Sequence, residues 1–190
     1  KLSGGGGTRV QQWGWAGDVT VPGDYDGDGL ADFAIYRPSD GTTSAMWHIK
    51  KGDGSGRIDQ PWGWIGDIPV SGDFDGDGKQ DVAIYRPSDG VSSAIWYVKK
   101  SDGSGTLVQP WGWVGDQPIA RDYDGDGKAD FAVYRPSDGT SSATWYVKKS
   151  DGSGTIVQPW GWVGDQPVPA DYDQDGTTDF AVYQNGVWTI

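Results

Sequence analysis

Apolar and polar positions alternate along most of the chain, in short runs broken by Gly, Pro, Asp and Ser. Four such runs recur in a fixed order. "TLVQPWGW" (106–113) is rich in β-formers, and "QPIARDY" (117–123) is a short strand leading into an acidic loop. "DFAVYRP" (130–136) alternates cleanly and ends at an "SDG" turn, and "SSATWYVKK" (141–149) alternates again before "SDGSG" turns back. Period-two runs of this length, bounded by turn residues, predict short antiparallel strands. No segment carries a 3.6-residue period of useful length, so the chain reads as all-β.

The four runs form one unit written four times, an internal repeat of the kind that decides an architecture. "WGW" stands at 13–15, 62–64, 111–113 and 160–162, a step of 49 residues. The acidic loop keeps that step at Asp24, Asp73, Asp122 and Asp171. The units run approximately 16–64, 65–113, 114–162, and 163–190 joined with 1–15. A four-stranded unit of about 50 residues reads as a β-propeller blade; an open solenoid is the other architecture. The ends of the chain favour the propeller. "WTI" (188–190) laid before "KLSGGGGTRVQQWGW" (1–15) has the same length as "WYVKKSDGSGTLVQPWGW" (96–113). The expected fold is therefore a β-propeller of four four-stranded blades, with the last blade completed by the N-terminal strand. Eight blades across a dimer and a strand-exchanged filament satisfy the same match, since exchanging an identical element is a low-cost route to oligomers.

Composition narrows the partners. The net charge is −12, and all 27 acidic residues are aspartate. The absence of glutamate, a better helix former than aspartate, agrees with an all-β chain. Twelve Trp and nine Tyr supply a packed aromatic core. The charge argues against nucleic acid, which needs clustered Lys and Arg. There is no cysteine, and no apolar run reaches the roughly 20 residues that span a bilayer. The chain opens on Lys1 and reads like a mature, processed product.

The acidic loop has the form D-x-D-x-D-G-x-x-D. Its aspartates are Asp24, Asp26, Asp28 and Asp32; Asp73, Asp75, Asp77 and Asp81; Asp122, Asp124, Asp126 and Asp130; and Asp171, Asp173, Asp175 and Asp179. Four carboxylates in one tight turn repel one another unless a cation sits among them. Ca²⁺ takes six to eight oxygens from alternating positions of such a loop. The residue after the turn glycine (Leu30, Lys79, Lys128 or Thr177) is placed to add a backbone carbonyl. All-oxygen ligation disfavours Zn and Cu. Asp and Gly make turns without metal, but four copies with Asp at the same four places point to about four bound Ca²⁺. These would bring the formal charge from −12 to about −4. The fourth copy has Gln174 where the others have Gly, and loses no aspartate.

This strand–DxDGDGxxD–strand unit resembles the FG-GAP/VCBS repeats of bacterial surface and secreted proteins, and the calcium loops of integrin α-chain propellers. The resemblance covers all four units, although the "FG" and "GAP" elements are degenerate. It implies a propeller with loop-bound Ca²⁺. It also implies six to eight blades per ring, from which four repeats depart, and a role in adhesion, glycan binding or as an accessory domain beside an enzyme.

Two further sets of residues are candidates for ligand binding. The tryptophan pairs Trp13/Trp15, Trp62/Trp64, Trp111/Trp113 and Trp160/Trp162 put two indoles on one strand face, where they either pack between blades or form a flat platform for a sugar. Arg37, Arg86 and Arg135 in "YRPSDG" either pair with Asp40, Asp89 and Asp138 across the turn or clamp a ligand between blades. The Lys–Lys pairs at strand ends read as edge-solvating residues. His48 replaces a tyrosine of other units and reads as a tolerated substitution. With no Cys, no Glu and one His, no nucleophile–base set assembles, so no enzyme is expected. The expected function is non-catalytic, extracellular or cell-surface binding of a glycan or a cell-surface protein. The alternatives are a fibre subunit built by strand exchange with other copies and an accessory domain of a secreted enzyme.

Overall fold

The computed structural model describes residues 8–190. They form an all-β propeller of four blades with no helix. Blade one holds β1 (Val19–Thr20), β2 (Phe33–Arg37), β3 (Met46–Lys50) and β4 (Arg57–Pro61). Blade two holds β5 (Ile68–Gly72), β6 (Asp81–Arg86), β7 (Ile95–Lys99) and β8 (Thr106–Pro110). Blade three holds β9 (Gln117–Pro118), β10 (Phe131–Arg135), β11 (Thr144–Lys148) and β12 (Thr155–Pro159). Each is an antiparallel meander in chain order. Blade four has three strands, β13 (Gln166–Pro167), β14 (Val182–Gln184) and β15 (Val187–Thr189).

The alternation seen in the sequence sets which side chains enter the core. In β3, β7 and β11 the second residue, Trp47, Trp96 or Trp145, is fully buried, as is the fourth, while the residues between are half-exposed. Trp96 meets Tyr85 of its own blade edge-on at 5.3 Å and Phe131 of the next blade at 5.6 Å. Phe74 stacks on Phe131 at 5.0 Å, and Tyr123 on Phe180 at 5.2 Å. Edge-to-face and offset-stacked rings at these distances are the favoured aromatic geometries. Aromatic residues thus form the buried centres of the first three blades and the seams from blade two to three and three to four, while Val82 stands at the place of Phe131 against blade one. The acidic loops add a polar seam: Gln80, Ala129 and Thr178 donate their amides to the carbonyls of Asp24, Asp73 and Asp122 in the preceding blade.

Three expectations are corrected. The "QPIARDY" run is not one continuous strand; β9 covers two residues, and the ladder resumes at a single Arg121–Asp130 bridge. The "WGW" motifs lie beyond the ends of β4, β8 and β12, so each pair does not share a strand face. Gly63 turns there with φ +107°, and a Cβ would come within 2.9 Å of the Tyr36 hydroxyl. Finally, among the described residues no fourth strand completes the last blade. Thr8–Gln12 lies in no strand, and β15 pairs only with β14 among the described residues. The Gly-run part of the expected closing turn, 1–7, lies outside those residues.

The central tryptophans should dominate stability. Trp145→Ala is expected to cost about 3–5 kcal/mol in urea unfolding, whereas Val91→Ala, at an 85 % exposed position, should stay within about 0.5 kcal/mol.

Candidate metal centres and interblade clefts

Each acidic loop joins the first two strands of its blade. The first-place aspartate folds the loop around itself: Asp24 accepts the amides of Gly27 (2.7 Å) and Gly29 (2.8 Å). The same pair of bonds recurs at Asp73, Asp122 and Asp171. The ninth-place aspartate ties the loop to the rest of the blade. Asp81 accepts the amide of Phe74 at 2.9 Å on one oxygen and that of Ser101, in the β7–β8 turn, at 2.7 Å on the other. Asp32 and Asp130 do the same with Tyr25 and Gly52, and with Tyr123 and Ser150.

Carboxylate oxygens of places one, three and nine converge to within 4.8 Å of one another in every loop, making Asp24/Asp26/Asp32, Asp73/Asp75/Asp81, Asp122/Asp124/Asp130 and Asp171/Asp173/Asp179 clusters that can hold a metal ion. The fifth-place residues Asp28, Asp77, Asp126 and Asp175 lie outside these clusters. Each accepts the amide two residues on, at Leu30, Lys79, Lys128 or Thr177. Asp77 and Asp126 also accept the hydroxyls of Ser101 and Ser150.

The surroundings fit a hard cation. Burial, with the neighbouring Asp75 and Asp73 carboxylates adding to it, pushes Asp81 up to about 6. Burial likewise lifts Asp130 to about 6, with Asp124 and Asp126 acting in the same direction. One buried Asp75 oxygen has no hydrogen-bond partner. A divalent ion among three carboxylates offsets both the repulsion and the desolvation. In blades one to three a lysine at the end of the third strand brings a positive charge to the loop: Lys51 reaches Asp26 at 3.1 Å, Lys149 reaches Asp124 at 3.4 Å, and Lys100 stands 4.0 Å from Asp75. These lysines therefore serve the loops. Their neighbours Lys50, Lys99 and Lys148 lie over the rings of Trp13, Trp62 and Trp111 at 5.7–5.9 Å. The sequence reading of both as edge-solvating residues is corrected.

A second constellation repeats between blades. The first tryptophan of each "WGW" donates its Nε1–H to a carbonyl of the following blade: Trp62 to Tyr97, Trp111 to Tyr146, Trp160 to Thr189, and Trp13 to His48. The second tryptophan is exposed, from 41 % at Trp64 to 79 % at Trp15. Beside it stands an arginine held by a buried aspartate. Arg86 donates from Nε and Nη2 to the two oxygens of Asp67 at 2.7 and 2.8 Å, and Asp67 also accepts the Trp64 amide at 2.7 Å. Asp116 joins Arg135 to Trp113 in the same way, and Asp18 joins Arg37 to Trp15. The guanidinium carbon lies 4.9 Å from the Tyr97 ring centroid for Arg86, and 4.5 Å from that of Tyr146 for Arg135. The expected pairing with Asp40, Asp89 and Asp138 is overturned; those aspartates accept amides of their own turns.

The resulting clefts measure about 380 Å³ at Trp13, Trp15, Arg37 and His48, about 310 Å³ at Trp62, Trp64, Arg86 and Tyr97, and about 480 Å³ at Trp111, Trp113, Arg135 and Tyr146. Trp160 and Trp162 have no such partner, because residue 184 is Gln and donates to the Val163 carbonyl.

Residues 24–84, 73–133 and 122–182 each match the FG-GAP-like repeat. The chain belongs to the FG-GAP-like repeat family. Each FG-GAP-like match opens on the first aspartate of one loop and closes in the second strand of the following blade, so every matched stretch spans a loop, most of a blade and the next loop. No curated protein matches the chain.

The sequence singled out the FG-GAP-like loops and the Trp and Arg residues that line the clefts. It did not single out Asp18, Asp67 and Asp116, nor Tyr97 and Tyr146 as cleft walls. The signal was present, since "WGWxGD" repeats its aspartate with the same step in every unit. One loop is strained. Gln174 sits at φ 65° where the equivalent glycines sit near 80°. A left-handed L-residue costs about 1–2 kcal/mol, and glycine's extra chain entropy offsets about 0.5–1 of that. Gln174→Gly should therefore raise stability by about 0.5–1 kcal/mol in a thermal melt; a lowered Tm would contradict this account.

Proposed function

We propose that this chain is a non-catalytic, extracellular calcium-binding module that takes carbohydrate in the clefts between its blades. The observation that carries the reading is the threefold repetition of one cleft: an exposed indole, an arginine fixed by a buried aspartate, and a ring at the guanidinium, Tyr97 or Tyr146 beneath it or the His48 imidazole beside it. A flat indole face suits the apolar face of a sugar ring. The Arg86 and Arg135 guanidinium groups, held at one edge by Asp67 and Asp116 and 41–45 % exposed, keep donors for hydroxyl groups. Shallow sites repeated on one rigid body combine weak affinities into avidity, which suits a glycan-bearing cell surface. The acidic clusters take Ca²⁺ in this reading, because three to four carboxylates with backbone carbonyls form the hard oxygen set that this ion prefers. Exposed loops of this kind suit the high calcium concentration outside cells. No helix of the described residues is long and apolar enough to cross a membrane.

Two measurements test the reading. Saturating even one site at 100 times its Kd stabilises by about 2.7 kcal/mol, so excess chelator should lower the Tm by at least about 5 °C. An unchanged Tm removes calcium from the account, and recovery with magnesium alone would assign the loops to a smaller ion. Glycan-array binding in calcium should be positive and should fall at least about tenfold for Trp64→Ala/Trp113→Ala. An array with no calcium-dependent glycan binding would sink the carbohydrate proposal while leaving the metal sites standing.

A further inference from the structure

Blade four is built like the others but is open where they are closed. Its central tryptophan, Trp188, is 55 % exposed, whereas Trp47, Trp96 and Trp145 at the same place are fully buried. Tyr172, the counterpart of Tyr25, Phe74 and Tyr123, is also exposed. The amide-to-carbonyl seam between successive loops stops there as well: Ala31 and Asp171, equivalent to the bonded pair Gln80 and Asp24, make no such bond. Among the described residues blade four therefore lacks both an outer strand and a following blade.

The missing strand is present elsewhere on the molecule. Thr8–Trp15, "TRVQQWGW", has the pattern of "TLVQPWGW" (106–113) and "TIVQPWGW" (155–162), the outer strands of blades two and three with their "WGW" turns. It already makes the blade-facing half of that role. Trp13 donates to the His48 carbonyl of blade one, as Trp62 and Trp111 do to blades two and three. Arg9 lies over the Phe33 ring at 5.0 Å and donates to the Gly52 carbonyl. The sheet-facing half is unused, and Val10 is 90 % exposed. This segment sits in front of blade one as the last strand of a preceding blade would.

We propose that a second copy of this chain supplies that preceding blade. Thr8–Gln12 of each protomer pairs with β15 of the other, covering Trp188 and bringing blade four of one copy onto blade one of the other. The exchange is reciprocal, so two copies close a ring of eight blades about a twofold axis. Eight is within the range of known propellers, whereas the next closed ring of this unit, three copies with twelve blades, is not. The register follows from the complete blades. Val157 pairs with Tyr146, Val108 with Tyr97, and Asp59 with His48. Thr189 stands at the place of Tyr146, so Val10 pairs with Thr189 of the second copy. The edge of β15 is thus a strand-addition site whose ligand is another copy of the chain's own Thr8–Gln12 segment.

Native mass measurement of the full chain in calcium should give a single species of twice 20.4 kDa. A monomer, or a ladder of longer polymers, overturns the closed dimer. A cysteine pair locates the contact. The chain has no cysteine, and residues 10 and 189 are both exposed, so Val10→Cys/Thr189→Cys keeps its fold whichever way the strand pairs. Opposed residues of an antiparallel pair have Cα atoms about 4.5–5.5 Å apart, within disulfide reach. Mild oxidation should double the mass on a non-reducing gel, and neither single variant should do so. A disulfide formed within one chain, or none at all, overturns the proposal.

Discussion

In the first three loops a buried carboxylate at the ninth place holds two backbone segments at once, and those blades are organised around it. Asp81 and Asp130 are fully buried, and each gives one oxygen to the start of its own loop and the other to the turn between the third and fourth strands. That single residue fixes the loop against its blade. The loop in turn offers a carbonyl to the next blade, so the polar seam between blades follows from the same fold of the chain. A carboxylate in this position is costly unless its charge is met. Two amides meet part of it, and the cluster it forms with places one and three can hold a cation that meets the rest. The metal centre and the blade-to-blade seam are therefore one structural problem with one solution.

The interblade clefts depend on a parallel device. Asp67 and Asp116 are buried, and each joins a "WGW" turn to an arginine of its own blade. A charged pair with one member buried loses much if broken and little if kept. Its effect is to hold the guanidinium at a set angle over an aromatic ring while leaving its outer edge in water. The exposed second tryptophan then completes a cleft whose walls come from two blades. Nothing in a single blade makes this cleft; it exists because blades succeed one another at a fixed step. That is why the fourth unit, with Gln184 and Thr189 in place of the arginine and the tyrosine, keeps its tryptophans but not the cleft.

Much of this was legible in the sequence because the repeat exposes it. Period-two alternation gave the strands, and the 49-residue step gave the blades and the aspartates of places one, three and nine. What was not legible depends on how segments meet in space. The arginine partners lie 19 residues upstream, across a loop whose path no local pattern reveals, so the nearer aspartates of the "SDG" turn looked the better partners. Those turn aspartates were already engaged by their own backbone amides. The tryptophan pairs looked like neighbours on one strand face, but the positive φ of the intervening glycine sends one indole into the seam and the other into solvent.

The ends of the chain pose the same question at a larger scale. Matching the two termini in sequence establishes that one segment can complete the other, but a match of pattern carries no direction in space. The structure adds that direction. Thr8–Trp15 is already committed to blade one through Trp13 and Arg9, and blade one is not in contact by strand or seam with blade four among the described residues. A segment held at one end of an arc fills a gap at the other end only if the arc closes on itself or meets another arc. Four blades that leave Tyr172 and Trp188 in water have not closed. Burying those rings recovers apolar contact that every other blade already has. The blade packing that stabilises the first three units is thus also the driving force available for joining a fourth to the next.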